Sequence, residues 1–177
     1  MILEVEEGKE IDFRVNRLLN DKLLNYAKQV LPNHGHLMKL SSESGPYYYL
    51  KIPDDFILKL FPFLSEENFS VPDYFDSPEA IGAHISVMYD NEMPTDLNSS
   101  FNSAEMGKIF HFEPIDIYRI EIFNKELIAL IVSSPTLEAL RHQYGLKSKL
   151  NYRGLLVPFH ITLAKSISHN DKMEDKC

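Results

Sequence analysis

Two four-residue runs constrain this chain more than anything else in it. They are His84-Ile85-Ser86-Val87, inside Gly82–Met88, and His160-Ile161-Thr162-Leu163, inside Pro158–Ala164. Alternate side chains of a β-strand point to opposite faces, so His84 and Ser86 share one face while Ile85 and Val87 take the other. The same alternation puts His160 and Thr162 over Ile161 and Leu163. Each run therefore reads as a strand that turns one imidazole and one hydroxyl to a polar face and keeps its second face for a core. The approach to both runs is also alike, since strands and then a helix precede each histidine strand. A weak internal duplication follows, and strands interleaved with single helices predict an α+β layout with largely antiparallel sheets.

Taken in order, the apolar residues Ile11, Val15, Leu18, Leu19, Leu23, Ala27, Val30 and Leu31 recur at helical spacing, ended by Pro32-Asn33-His34-Gly35. Two short strands, His36–Leu40 and Tyr47–Ile52, follow around a polar turn at Ser41–Gly45. In the second, Tyr48, Leu50 and Ile52 share a core face, leaving Tyr49 and Lys51, with Tyr47, on a face able to line a cleft. Pro53-Asp54-Asp55 reads as a helix start with acidic groups at the positive end of the dipole. Asp90–Lys108 is polar, rich in Asn and Ser, and shows no clear periodicity, as a functional or linking loop would. Phe110–Phe112, Ile115–Phe123 and Leu127–Val132 read as strands, the last two as a hairpin over Asn124-Lys125-Glu126. Ser134-Pro135 then opens a well-signalled helix that Gly145 closes. Leu146–Val157 returns the chain to the second histidine strand.

Composition narrows the function classes. With 177 residues, 44% apolar and 25% charged, the chain can bury a substantial core. No apolar run approaches the roughly 18 residues of a membrane span, and the acidic start MILEVEEGKE does not resemble a signal peptide, so a cytoplasmic location is expected. The single cysteine, Cys177, leaves no internal disulfide or cysteine-rich zinc site. A net charge of −8 argues against coating long nucleic acid, although a local cleft can still take a small phosphate-bearing ligand. His34, His36, His84, His111 and His160 match no metal-ligand spacing, so no metal and no cofactor is expected.

Two imidazoles and two hydroxyls converging on one groove would suit metal-free cleavage of a phosphodiester. One neutral histidine removes a proton from the attacking water and one protonated histidine gives a proton to the departing oxygen. Ser86 and Thr162 would donate hydrogen bonds to the non-bridging oxygens as charge rises there. The residues do not say which imidazole plays which part. A binding module that holds a nucleotide or RNA end without cleaving it is the competing reading.

The two tetrads, the approach LEALRHQYGL and VPFHITLAK to the second, and YYYLKIPDDFILKLFPFL in the first half resemble the 2H phosphoesterase superfamily. The resemblance covers roughly residues 47–165. The N-terminal helix and the GAHISV context resemble its RNA-repair-like "Swiss army knife" branch. It implies a bilobal α+β fold, with pseudo-two-fold antiparallel sheets around a central cleft. Residues 1–168 would form one such domain, with 1–35 as an N-terminal helical extension and His169–Cys177 as a disordered tail. It further implies His84, Ser86, His160 and Thr162 as the catalytic set, with Tyr49 and Lys51 as candidate substrate-binding residues. Characterised members act on 2′,3′-cyclic phosphates, cyclic nucleotides, 2′,5′-linked oligonucleotides or RNA ends, generally without a metal.

Overall fold

A computed structural model describes residues 17–64, 68–75, 80–122 and 125–166. The expected helical residues Ile11 and Val15, and the tail His169–Cys177, lie outside them. Helix α1 spans Arg17–Val30 and buries Leu23 and Ala27. Strands β1 (His34–Ser42) and β2 (Gly45–Lys51) form the expected hairpin. A single helical turn, α2 (Asp55–Leu58), and a 3-10 turn (Phe61–Phe63) follow. Strand β3 (Phe69–Ser70), a second 3-10 turn (Asp73–Phe75) and the first histidine strand, β4 (His84–Met88), complete this half.

The second half repeats the plan. Strands β6 (Glu113–Ile122) and β7 (Lys125–Ser133) form a hairpin, α4 (Pro135–Gln143) follows, and β10 (His160–Ser166) is the second histidine strand. Both histidine strands return antiparallel to the second strand of their own hairpin, β4 beside β2 and β10 beside β7. The sheets have the strand orders β4-β2-β1-β5 and β3-β10-β7-β6, where β5 is Ile109–His111. All their pairings are antiparallel. Each half's helix lies against the other half's sheet: α2 meets β10, and α4 meets β4 and β5. One continuous core results, with Tyr48, Leu50, Ile85, Val87, Ile161 and Leu163 fully buried on the inner faces. The α+β, antiparallel expectation therefore holds.

Two segments differ from expectation. The polar stretch Asp90–Lys108 contains a helix, α3 (Asn98–Glu105). Asn and Ser are weak helix formers and hide the period. Packing supplies what propensity lacks, because Phe101 is fully buried with its ring 4.5 Å from that of Tyr48 and 4.8 Å from that of Tyr144. Tyr48 also hydrogen-bonds Asn102 at 3.0 Å. The return segment Leu146–Val157 holds a ribbon, β8 (Leu150–Tyr152) with β9 (Leu155–Val157). Its two-residue turn places Arg153 at φ 49° and Gly154 at φ 91°, the pair of positive angles that the right-handed twist of a tight hairpin selects.

Candidate active site

The strand ladders decide which side chains meet. His84 pairs with Lys51 and Ser86 with Tyr49 across β4 and β2, so these four share one face. His160 pairs with Ile131 and Thr162 with Ala129 across β10 and β7. The duplicated backbone thus carries unequal neighbours. A lysine stands across from the first histidine and an isoleucine across from the second.

Both imidazoles are held in the same way. His84 Nδ1–H donates to the Gly82 carbonyl and His160 Nδ1–H to the Pro158 carbonyl, each at 2.8 Å and each two residues upstream. Fixing Nδ1 as the donor leaves Nε2 of each ring for chemistry. Each residue is only 9% exposed. Burial is the main cause that pulls the pKa of His84 down to about 4, with the neighbouring His160 and Lys51 charges adding to it against the Gly82 hydrogen bond. Burial likewise holds His160 below the ordinary imidazole range.

Tyr74 ties the two strands together. Its ring lies 4.4 Å from the His84 ring, and its hydroxyl donates to the Thr162 carbonyl at 3.1 Å. Strands β4 and β10, distant in the chain, run close to one another here. Tyr47 and Tyr49 approach His84 edge-on at 6.2 and 5.7 Å, closing an aromatic wall around it. The Tyr47 and Ser86 hydroxyls are hydrogen-bonded at 2.7 Å. Burial raises the Tyr47 pKa above the ordinary phenol value, so the phenol keeps its proton. The Tyr89 ring lies 6.1 Å from that of Tyr47, and burial pushes the Tyr89 pKa up to about 12.

Asp54, expected as a helix cap, makes no side-chain capping bond. Its Oδ1 instead accepts from Lys51 Nζ at 2.8 Å and from the Ala83 backbone N–H at 2.9 Å. A carboxylate acceptor holds the chain at the position just before His84 and keeps Lys51 beside it. Gly82 lies in this knot at φ +70°, where an added Cβ would stand 2.3 Å from Asp54 Oδ1 and 2.4 Å from Lys51 Nζ. The positive φ favours glycine, and an added side chain would displace the Asp54–Lys51 pair.

A family model for the Swiss Army Knife 2H phosphoesterase domain matches residues 48–170. The chain belongs to the 2H phosphoesterases. Its match takes in both histidine strands and begins at Tyr48, so α1 stands before the shared domain. No curated protein and no solved structure matches this 2H phosphoesterase.

Of the six residues singled out in sequence, the fold gathers His84, Ser86, Tyr49 and Lys51 on one face, and Tyr74 links that face to the Thr162 backbone carbonyl. His160 is close enough for its charge to bear on His84. Reasoning from sequence missed Asp54, Tyr74 and Tyr89 as parts of the site, and grouped Tyr47 on the right face without giving it a role. Arg153 and Lys165, the other basic residues near the second motif, have local partners. The Arg153 guanidinium lies 5.7 Å over the Tyr152 ring, and Lys165 pairs with Asp73. Among the described residues no group of three or more His, Cys, Asp or Glu is placed to hold a metal ion, and no helix is long and apolar enough to cross a membrane.

Proposed function

We propose that this 2H phosphoesterase hydrolyses a 2′,3′-cyclic phosphate or a related RNA-type phosphodiester, using His84 as general base and His160 as general acid. The observation that carries this is Tyr74, which touches both motifs at once, together with the matching Nδ1 bonds that free Nε2 on both rings. In the reaction, His84 Nε2 takes a proton from water as the water oxygen bonds to phosphorus. The P–O bond to the departing ribose oxygen breaks, and that oxygen receives the proton of His160 Nε2, leaving a phosphomonoester. Ser86 Oγ, oriented by Tyr47, and Thr162 Oγ1 donate to the non-bridging oxygens.

The division of roles follows from the unequal neighbours. In the free site burial keeps both rings neutral at pH 7. Substrate phosphate brings a negative charge that attracts one proton. Burial opposes it on both rings, but on His84 the Lys51 charge adds to that opposition, whereas among the described residues no cationic neighbour does so on His160. The proton goes to His160.

A panel of cyclic, 2′,5′-linked and 3′,5′-linked substrates, assayed with chelator present, tests the reading. Turnover of a 2′,3′-cyclic phosphate or an RNA-type linkage to a single monoester isomer is expected. Binding of these compounds without turnover would instead identify a nucleotide-holding module.

A pH profile follows with a definite sign. The acid must be protonated and the base neutral in the free protein, and kcat/KM reports free-protein pKa values. With His84 near 4 and His160 below the ordinary 6.5, kcat/KM peaks on the acid side of neutrality and is already falling at pH 7. Bound phosphate stabilises the His160 proton, so the alkaline limb of kcat lies at higher pH than that of kcat/KM. A kcat/KM plateau extending from pH 7 to 9 would contradict this assignment.

A further inference from the structure

The face that carries His84, Lys51 and Tyr49 does not end at the site. Across the first sheet, Lys51 pairs with His36 and His36 with Ile109, Tyr49 pairs with Met38, and His34 pairs with His111. Paired residues share a face, so the row continues outward through β1 and β5. There it is open. Met38 is 43% exposed, Leu40 46% and Ile109 54%, and His34, His36 and His111 are exposed beside them. The opposite face of the same strands is core, with Leu37 fully buried and Phe110 9% exposed.

Apolar side chains in water are a liability unless something covers them. Two features say what does. First, the surface is continuous with the phosphate site, through Lys51 to His36 and through Tyr49 to Met38. Second, among the described residues the strands β4, β2, β1 and β5 place no Asp or Glu on this face, in a chain whose net charge is −8, and the nearby Asp54 carboxylate is taken up by Lys51. An anionic partner is thus turned away by much of the surface but not by this part of it. Imidazole rings with apolar neighbours on an open four-stranded sheet form a stacking platform, and such a sheet accommodates two or three bases. The His34 and His111 rings already lie 5.6 Å apart as a pair.

We propose that the open half of the first sheet, built from His34, His36, Met38, Leu40, Ile109 and His111, holds the bases next to the reacting phosphate, so that the substrate is a single-stranded oligonucleotide end. This rests on the phosphodiesterase reading above and names its substrate class.

The test compares kcat/KM for a mononucleoside 2′,3′-cyclic phosphate with that for a tetranucleotide ending in the same group. About ten-fold preference per stacked base is expected for the longer substrate. M38S/I109S should remove most of that preference. Equal rates on both lengths, or a preference that survives M38S/I109S, would overturn the proposal. Binding separates this from failure of the chemistry. A fluorescein-labelled tetranucleotide with a 3′-phosphate should bind the wild-type chain at least ten-fold more tightly than M38S/I109S by anisotropy, whether or not the protein cleaves it. Equal affinity would refute the platform, as would a shift in oligomeric state on substitution with no change in oligonucleotide binding, which would make the face a contact between copies of this chain.

Discussion

His84→Gln and His160→Gln should each lower turnover of the preferred phosphodiester by about 10²–10⁴-fold while circular dichroism and the unfolding midpoint report an intact fold. Glutamine approximates the size and hydrogen bonding of the ring but can neither take nor give a proton near neutrality. Because the two imidazoles act on one reaction, losing either disables the pair. The double variant should fall little below the weaker single variant rather than by the product of both losses. A single variant that keeps more than about a tenth of wild-type activity would remove its histidine from proton transfer.

The largest effect on stability is expected at Arg141, which is 1% exposed and paired with Glu92 at 2.7 Å. Its guanidinium also donates to the carbonyls of Val87 at 2.6 Å, Lys147 at 2.7 Å and Lys149 at 3.0 Å. Glu92 accepts in turn from the backbone N–H of Tyr89 at 2.9 Å and of Asn151 at 2.8 Å. This pair pins α4 and the start of β8 to the end of β4, one residue beyond Ser86. Arg141→Met keeps volume but strands a buried carboxylate and three carbonyls, and should cost about 3–5 kcal/mol in urea unfolding. Adding Glu92→Leu should recover part of that by removing the uncompensated charge. A loss under about 1 kcal/mol for Arg141→Met would mean the pair is solvated in solution.

What could be read from sequence followed from regular patterns. Alternation in HISV and HITL is a property of neighbours in the chain, so it disclosed the strand face of His84, Ser86, His160 and Thr162 without a fold. The split of Tyr48, Leu50 and Ile52 from Tyr49 and Lys51 was legible for the same reason, and the core burial of the first three bears it out. Ser134-Pro135 marked α4 because capping is local, and the Ser134 hydroxyl does accept from the Leu137 N–H at 3.4 Å. The parts that escaped depend on distant contacts. Helix α3 is held by Phe101 against Tyr48 and Tyr144, and nothing in its Asn and Ser residues announces that. Asp54 has the sequence signature of a cap, yet its oxygen is taken by Lys51 and by the Ala83 N–H, 29 residues away. Tyr74 sits in a proline-interrupted stretch with no period, and its role exists only because β4 and β10 come together.

The central claim is that His84 and His160 serve one phosphate in opposite roles, and a change of leaving group tests it most directly. A substrate whose leaving group is a nitrophenolate needs no proton to depart, so the general acid becomes dispensable and the base does not. On this substrate His160→Gln should recover to within about ten-fold of wild type, while His84→Gln stays impaired by about 10²-fold or more. Equal impairment of both variants on the activated substrate, or recovery of His84→Gln alone, would contradict the account.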